Sequence, residues 1–222
     1  FLKKQYIISR NNKKYNWYVQ SNLMYRKGIK YLRLNSLNLN VTPIFKEKKI
    51  IYSNKELNSF LYVSNGSKHK NHKRLYMAFI KSANKTSSVI KLNLTLSNNE
   101  FVNSPYSKIT APKNLKILNH GILEFSKLEK VYQKTQFLIF PSLNESFGLP
   151  LIESINYNCK VLAPNLDYVN EVIIPSIKFD PFSISNLSES IIFAITKNNI
   201  KHSKIIVENK IDTFVKYISN NI

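Results

Sequence analysis

A run of four apolar residues, FLIF at 137–140, is the feature that most constrains the fold of this chain. A continuous apolar run is typical of a central strand in a parallel sheet, which is buried on both faces. A stretch with helical spacing follows at 149–158, where Pro150 is tolerated in the first turn. A second apolar run follows at 160–163, and the order strand, helix, strand predicts an α/β domain.

The same alternation of apolar runs and helical stretches continues over most of the chain. Strands are predicted at 60–63, 89–96, 115–118, 137–140 and 160–163. Helices are predicted at 72–83, 126–132, 149–158, 168–173, 185–195 and 201–219, with a capping box at Ser126–Glu129 and N-caps at Asp167 and Ser185. We therefore predict a doubly wound, Rossmann-like parallel sheet from residue 57 to the end.

The first quarter of the chain has a different pattern. A helix is predicted around 17–28 and a short strand near 39–45, and the polar KEKK that follows is typical of a linker. A segment this short cannot bury a second independent core. We expect 1–56 to be the tail of a preceding domain with its linker, and 57–222 to be the second domain. The chain begins with Phe1 rather than Met, so we expect a piece of a longer protein.

Composition excludes several classes of protein. Apolar residues make up 43% of the chain, which is typical of a globular protein and not of a disordered one. No run approaches the roughly 18 apolar residues of a membrane-spanning helix, and the first residues hold no apolar stretch long enough for a signal peptide. Cys159 is the only cysteine, so no internal disulfide can form, and a reducing, cytoplasmic location is expected.

The chain is strongly basic, with 33 Lys and Arg against 13 Asp and Glu and a formal net charge of +20. Lysine, asparagine and isoleucine are abundant throughout, so an AT-rich genome is one explanation for part of the excess. The basic residues nevertheless concentrate in the first quarter, whereas residues 145–195 are acidic. A basic first quarter suits an anionic membrane surface, a phosphorylated substrate or nucleic acid, and charge alone does not choose among them.

The loop between the strand at 137–140 and the next helix has the features of an anion site. In open α/β sheets, ligands bind in the crevice beyond the carboxyl ends of the strands. The free N–H groups of Phe147, Gly148 and Leu149 would lie at the helix N-terminus, which carries roughly half a positive charge. Gly148 has no side chain to block close approach to the backbone. This pattern predicts a site for phosphate or another anion.

Two glutamates frame that loop. Glu145 lies on the loop, and Glu153 lies about one turn into the helix. One carboxylate can accept hydrogen bonds from ribose hydroxyls, while a second near a sugar ring orients hydroxyls or stabilises positive charge at the anomeric carbon. Spacing alone leaves an alternative open, in which Glu145 caps the helix and Glu153 is solvated.

A second loop of similar character follows the predicted strand at 60–63. Ser64 and Asn65 come first, and Lys68 and Lys70 follow before the next helix. A lysine in this position can meet a diphosphate as a point charge. The alternative is a basic, solvated turn, because a single glycine is not a phosphate-loop signature.

These two loops carry a resemblance to a known family. FLIFPSLNESFGLPLIESINYNCKVLAPNLDYVNEVI resembles the donor-binding half of the retaining glycosyltransferases of the GT-B fold called glycosyl transferases group 1 (family 4). Their motif of two glutamates separated by seven residues reads E-SFGLPLI-E here. LYVSNGSKHKNHKRL resembles the strand, loop and lysine that hold the diphosphate. The resemblance covers nearly all of 57–222, and WYVQSNLMYRKG resembles the last part of the family's N-terminal, acceptor-binding domain.

The resemblance implies a nucleotide-sugar donor, a glycan or lipid-linked acceptor, retention of the anomeric configuration, and no metal or other cofactor. It implies two catalytic residues, Lys70, which neutralises the leaving diphosphate, and Glu145, which lies near the anomeric carbon. It also implies substrate-binding residues at the diphosphate, the ribose and the base, namely Ser64, Asn65, Phe147, Gly148, Leu149, Glu153, Asn119 and Gly121. The expected setting is bacterial surface polysaccharide synthesis, of lipopolysaccharide or capsule.

One departure from the family concerns the first phosphate loop. Many members place an arginine shortly before the lysine, whereas the stretch 64–67 reads SNGS here. The diphosphate would lose a bidentate partner. Either Lys68 or Lys73 compensates, or the donor lies differently.

Two other functions compete with this assignment. A nucleic-acid-binding module would explain the charge, but the sequence has no zinc-ligand set, RNP motif or recognition helix, so no nucleic-acid partner is expected. A glycosidase would use Glu145 and Glu153 as acid and nucleophile without any nucleotide, although a helix terminus suited to phosphate argues against it. The basic first quarter favours peripheral binding at the inner face of the plasma membrane, where each basic residue contributes about 1 kcal/mol.

Overall fold

The computed structural model of the chain describes residues 15–34 and 36–220. The strands are β1 Trp17–Val19, β2 Leu39–Val41, β3 Glu56–Tyr62, β4 Ile90–Leu94, β5 Leu115–Asn119, β6 Thr135–Ile139, β7 Lys160–Pro164, β8 Ile173–Ile174, β9 Ile177–Phe179 and β10 Lys204–Ile205. The α-helices are α1 Asn22–Leu32, α2 His72–Ala83, α3 Asn98–Val102, α4 Pro105–Lys108, α5 Phe125–Lys134, α6 Leu149–Asn156, α7 Asp167–Asn170, α8 Ile184–Thr196 and α9 Ile211–Ser219. Short 3-10 turns lie at Ser36–Asn38 and Lys68–Lys70.

Six strands form one parallel sheet in the order β5-β4-β3-β6-β7-β9. The chain winds outward from β3 to β5, crosses back, and winds outward from β6 to β9 on the other side. The predicted doubly wound parallel sheet is therefore confirmed. Because the order reverses between β3 and β6, the carboxyl ends of these two strands lie side by side in the middle of the sheet.

The hydrophobic core surrounds this central pair of strands. Phe60 on β3 is in register with Phe137 on β6, and their ring centroids are 4.9 Å apart. Phe79 from α2 meets Phe60 edge-on at 5.3 Å, and all three rings are fully buried. Replacing such a phenylalanine by alanine typically costs about 3–5 kcal/mol. The cluster therefore fixes the strands whose loops carry the predicted site.

Several helix ends differ from the prediction. α2 has the predicted bounds, and α6 begins at Leu149 as predicted. The N-cap of α8 is Ser183, whose hydroxyl accepts from the Asn186 N–H, so the predicted cap at Ser185 is wrong. The last helix is shorter than the predicted 201–219, because part of that range forms β10.

The predicted capping box at Ser126–Glu129 is also wrong. α5 begins one residue earlier than Ser126, and Glu124 takes the N-cap position. Asp167 is the first helical residue of α7 rather than its cap. A capping box does occur at α3, where the side chains of Ser97 and Glu100 bond to each other's backbone.

Residues 15–34 and 36–42 form a small unit beside the main sheet. The predicted helix at 17–28 is wrong in its first turn, since β1 occupies that part and pairs in parallel with β2. Aromatic and β-branched residues such as those of β1 favour a strand. α1 then follows its N-cap, Ser21.

This β1–α1–β2 unit contacts the loop between β6 and α6. Ser21 Oγ donates to the carbonyl oxygen of Ser146 at 2.8 Å. Lys27 Nζ donates to Asn144 Oδ1 at 2.7 Å. The unit therefore holds the Ser146 carbonyl and the Asn144 side chain, which flank Glu145 in the sequence.

The segment that was predicted as a linker lies against the ends of α5 and α6. Lys55 Nζ donates to the carbonyl oxygens of Tyr132, at 2.9 Å, and Tyr157, at 2.5 Å. These carbonyls lie at the C-terminal ends of the two helices, where a positive charge is stabilising. Lys48 pairs with Glu129 and donates to the Tyr157 hydroxyl at 2.7 Å.

None of the helices in residues 15–34 and 36–220 is both long and apolar enough to cross a lipid bilayer. Part of the basic first quarter lies outside the described residues, namely Lys3, Lys4, Arg10, Lys13 and Lys14.

Candidate functional site

The loops that follow β3 and β6 are joined at the carboxyl edge of the sheet. Leu143 donates its N–H to the carbonyl oxygen of His69 at 2.8 Å. Tyr62 donates its hydroxyl proton to the Lys70 carbonyl at 2.7 Å, so the Ser142 hydroxyl, 3.0 Å away, donates to Tyr62. The point where strand order reverses is where ligands bind in such sheets. These bonds therefore bring the two predicted site loops together at that point.

Lys70 and Glu145, the two predicted catalytic residues, are in direct contact. Lys70 Nζ lies 2.6 Å from Glu145 Oε1, and the two side chains are only 14% and 13% exposed. The ammonium also lies 5.8 Å from the ring centroid of Phe140. Asn71 follows with φ of +62°, which turns the chain from the 3-10 turn into α2. The contact therefore provides a shielded cation whose charge a carboxylate balances.

The N-terminus of α6 presents backbone donors. Gly148 is the N-cap with φ of +87°, and a Cβ there would lie 3.0 Å from Leu151 Cδ1. Across the described part of the chain, the N–H groups of Phe147, Gly148 and Leu149 find no hydrogen-bond partner. Phe147 is buried, whereas Leu149 is half-exposed. These amides, together with the helix dipole, are the groups that an anion at this end of α6 would use.

Glu153 lies one turn into α6 and is half-buried. The Tyr132 hydroxyl, from α5, donates to Glu153 Oε2 at 3.0 Å. Burial raises the pKa of the Glu153 carboxyl, and the Tyr132 hydrogen bond opposes that rise. A small cleft of about 40 Å³ adjoins this carboxylate, with Phe125 and Leu149 among its walls.

The alternative in which Glu145 caps α6 and Glu153 is solvated is wrong. Gly148 occupies the N-cap position, and no side chain caps the helix there. Glu145 pairs with Lys70, and Glu153 is half-buried and bonded to Tyr132.

An open crevice of about 590 Å³ lies beside the loop that follows β3. Ser64 and Asn65 line it together with Thr95, which follows β4, and Ile122 and Leu123, which follow β5. Its volume lies within the roughly 300–1,000 Å³ of small-molecule sites. Three loops at the carboxyl edge therefore share one cavity, which holds two of the predicted substrate-binding residues.

Asn119 and Gly121, predicted beside the base, lie at the last residue of β5 and in the loop that follows it. Asn119 Oδ1 accepts from the Leu96 N–H at 3.0 Å, and its Nδ2 donates to the Leu96 carbonyl at 2.9 Å. Its amide therefore shapes the loop after β4. Gly121 has φ of +73°, and no described atom lies within 4 Å of a Cβ built there.

The loop after β3, which was predicted to bind phosphate, has an acidic neighbour. Lys68 and Lys73, the two possible substitutes for the missing arginine, are both exposed. Glu100, from α3, accepts the Gly66 N–H on Oε1 at 2.8 Å. A Cβ on Gly66 would lie 3.1 Å from Glu100 Cγ, so glycine permits this close approach.

Sequence reasoning missed three residues that shape the site, namely Tyr62, Tyr132 and Glu100. The pattern SNNE at 97–100 was a readable signal for Glu100, because it has the spacing of a capping box. The two tyrosines bond to partners on other elements, Tyr62 to Ser142 and Tyr132 to Glu153, and such contacts leave no local pattern in the sequence.

The chain offers little for metal or thiol chemistry in the part that the structure describes. No group of three or more His, Cys, Asp or Glu side chains in 15–34 and 36–220 is arranged to hold a metal ion. Cys159 is buried, and burial raises the pKa of its thiol to about 11.

Solved structures with this fold include several glycosyltransferases of the GT-B type. A glycosyltransferase from Rickettsia africae ESF-5 matches with a TM-score of 0.65 at 15% identity, over 85% of this chain and 56% of that chain. TarM matches with a TM-score of 0.70 at 12% identity, over 99% and 46%. The pneumococcal O-GlcNAc transferase GtfA, solved with UDP and GlcNAc, matches with a TM-score of 0.69 at 14% identity, over 97% and 44%.

At these identities the structural matches show the fold alone, and the chain spans 44–56% of the length of these three structures. No curated protein gives a significant sequence match. A family model described as Glycosyl transferases group 1 matches residues 43–213, well over half of the chain. The predicted family is confirmed: the chain belongs to the glycosyl transferases group 1.

Proposed function

We propose that this chain is the donor-binding part of a retaining glycosyltransferase, which moves a sugar from a nucleotide sugar to a glycan or lipid-linked acceptor. Family membership supports glycosyl transfer. The observation that carries the site assignment is the contact between Lys70 and Glu145, which joins the loop after β3 to the loop that leads into α6. A diphosphate at this junction would meet an ammonium and the amides of a helix N-terminus together.

Negative charge develops on the diphosphate during the proposed reaction. The glycosidic C–O bond breaks with its electron pair on the phosphate oxygen, while a new bond forms between the anomeric carbon and the acceptor hydroxyl oxygen, whose proton passes to the departing diphosphate. Lys70 and the amides of Phe147, Gly148 and Leu149 stabilise the developing charge. Each preorganised donor of this kind contributes about 3 kcal/mol to lowering such a barrier.

Glu145 balances the charge of Lys70 when no donor is bound. Removing either partner would leave a largely shielded charge without compensation. Because an ammonium has three N–H donors, Lys70 can hold Glu145 and a phosphate oxygen together. Glu145 then stays beside the sugar, where positive charge develops at the anomeric carbon.

Glu153 binds the ribose hydroxyls of the donor in this proposal. Tyr132 already donates to Oε2, which fixes the carboxyl group and leaves Oε1 for a donor hydroxyl. Ser64 and Asn65 contact the diphosphate from the crevice, and Gly121 allows the base to approach the backbone.

The proposed setting is the cytoplasmic face of a bacterial plasma membrane, in the synthesis of a surface polysaccharide. The formal charge of +20 supports attraction to an anionic surface. Residues 1–56 belong to the acceptor-side domain and its linker, and 57–222 to the donor-side domain. The reaction needs no metal, because Lys70 and the helix amides supply the positive charge.

A thermal-shift experiment on the protein at its full natural length tests the donor site. UDP-sugars are the first ligands to try, followed by GDP-sugars. A ligand at 100 times its Kd stabilises the folded state by about 2.7 kcal/mol. We expect one of these donors to raise the melting temperature of the wild type, and Glu153→Gln to abolish most of that rise.

Glu189→Gln is the matched control, because Glu189 is exposed on α8, outside the proposed site. It should respond to the donor as the wild type does. A wild type that no nucleotide sugar stabilises would contradict the proposed function. Failure to co-sediment with anionic vesicles at low salt would contradict the membrane setting alone.

A further inference from the structure

His72, the first residue of α2, lies buried beneath the loop that follows β3. Its Nε2 lies 2.8 Å from the carbonyl oxygen of Asn65 and 3.3 Å from Ser64 Oγ. On the other side of the ring, Nδ1 lies 2.9 Å from the hydroxyl of Tyr106. Both ring nitrogens are therefore occupied, and the contacts of Nε2 go to two residues that line the crevice.

These partners select one form of the imidazole. A carbonyl oxygen only accepts hydrogen bonds, so Nε2 carries the proton that it donates to Asn65. Nδ1 is then the acceptor, and the Tyr106 hydroxyl donates to it. The neutral ring with its proton on Nε2 satisfies every partner. A protonated ring would direct a second N–H at the Tyr106 hydroxyl and force that hydroxyl to turn away.

The peptide between Asn65 and Gly66 is consequently held from both sides. It is trans, so its carbonyl oxygen and its N–H point in opposite directions. The carbonyl oxygen meets His72, and the Gly66 N–H donates to Glu100 Oε1 at 2.8 Å. The orientation of this peptide sets the direction of the backbone in the first phosphate loop.

The groups around His72 favour the neutral ring. Tyr62 and Tyr106 lie against it, with centroid distances of 5.1 Å and 5.6 Å. Burial lowers the pKa of His72, and the nearby charge of Lys70 lowers it further. The Asn65 hydrogen bond and the carboxylate of Glu100 each raise the pKa by less than burial lowers it, and each outweighs the effect of Lys70.

We propose that His72 is a positioning residue, which in its neutral form holds the Asn65–Gly66 peptide and the Ser64 hydroxyl in the orientation that binds the donor diphosphate. This inference rests on the proposed function and adds a pH dependence to it. Donor affinity falls when His72 is protonated, since Nδ1 then no longer accepts the Tyr106 hydroxyl proton, and that hydroxyl must turn and find another acceptor. This loop lacks the arginine that many family members have. The orientation of the loop backbone is therefore more important for holding the donor.

Donor affinity measured against pH tests the proposal in the protein at its full natural length. His72→Gln should weaken UDP-sugar binding about tenfold at neutral pH, which corresponds to the loss of one buried hydrogen bond. Because burial lowers the pKa of His72 from 6.5, the wild type should lose donor affinity as pH falls below 6.5, and His72→Gln should lack that loss. Glu153 is present in both proteins, so the difference between the two profiles reports His72. His202→Gln, at an exposed histidine, should follow the wild type.

Two results separate this inference from the function on which it rests. If the wild type binds a nucleotide sugar and His72→Gln has the same affinity and the same pH profile, the inference is wrong while the function stands. If the wild type binds no nucleotide sugar, the proposed function fails. The role of His72 in holding the Asn65–Gly66 peptide is then tested by hydrogen exchange. Exchange at the Gly66 amide should be faster in His72→Gln than in the wild type.

A further measurement needs no substitution and covers the case in which His72→Gln does not fold. The ¹⁵N chemical shifts of the His72 ring in the wild type should show the proton on Nε2 at pH 7.5. A ring that carries its proton on Nδ1, or that is already protonated at that pH, would overturn the proposal.

Discussion

Lys70 Nζ and Glu145 Oε1 lie 2.6 Å apart although their residues are 75 positions apart in the sequence. The ion pair connects the two strands at which the order of the sheet reverses. Lys70 lies on the loop after β3 and Glu145 on the loop after β6, so the position of each side chain depends on its own loop and on the opposite charge.

Breaking this pair is expected to destabilise the protein. Lys70→Met leaves the Glu145 carboxylate unpaired; such a loss costs about 3–5 kcal/mol in a fully buried pair, and we expect less here because the two side chains are 14% and 13% exposed. The double variant Lys70→Met/Glu145→Gln should recover most of that loss in urea unfolding while its sugar transfer stays absent. A single variant as stable as the wild type would show that solvent already screens the pair.

Glu153→Gln is expected to stabilise the protein at neutral pH while it weakens donor binding. The folded state raises the pKa of Glu153 above its ordinary value, so the ionised carboxyl opposes folding at pH 7. As pH falls toward 4.5, the folded protein takes up this proton before the unfolded chain does, so the stabilising effect of the substitution should shrink. Melting curves at several pH values measure this, with Glu189→Gln as the control at an exposed site. If the difference in melting temperature between Glu153→Gln and the wild type stays constant across that pH range, the pKa of Glu153 is not raised by burial.

Gly148→Ala and Gly121→Ala separate steric contact from backbone strain. Both glycines have positive φ, which costs an alanine about 1–2 kcal/mol. Only the Cβ at Gly148 meets a neighbour, Leu151 Cδ1 at 3.0 Å, while the space around Gly121 is open. Gly148→Ala should therefore lower the free energy of unfolding by more than Gly121→Ala does. Equal decreases in the free energy of unfolding would mean that the Leu151 side chain moves aside without an energetic cost.

Cys159 should be inert to thiol reagents in the folded protein. Burial raises the pKa of its thiol to about 11, and its Sγ lies 3.3 Å from the carbonyl oxygens of Tyr132 and Thr135. The thiolate is the reactive form, so at pH 8 the folded protein should react far more slowly than the chain in denaturant. Rapid labelling without denaturant would show that the region beneath Lys55 opens readily.

The parts of the fold that the sequence predicted well are those with strong local periodicity. The unit β6–α6–β7 follows from an apolar run, a helix with an early proline, and a second apolar run. α2 was predicted with its bounds. The prediction was wrong where a short segment suits both helix and strand. Trp17–Val19 were predicted as helix, but they form a strand because β2 lies beside them.

The geometry of the site was less accessible from the sequence. Lys70 and Glu145 were both predicted, but their contact depends on which strands are neighbours. The contacts of Tyr132 with Glu153 and of His72 with Asn65 likewise depend on tertiary packing, and such contacts leave no periodic pattern. The hydrogen bonds of the Asn119 side chain to Leu96 could not be foreseen for the same reason.

The two bonds from the β1–α1–β2 unit hold the backbone carbonyl of Ser146 and the side-chain amide of Asn144, the two neighbours of Glu145 in the sequence. Any displacement of this unit would break both bonds at once, so the position of the loop that carries Glu145 depends on residues more than a hundred positions earlier in the chain.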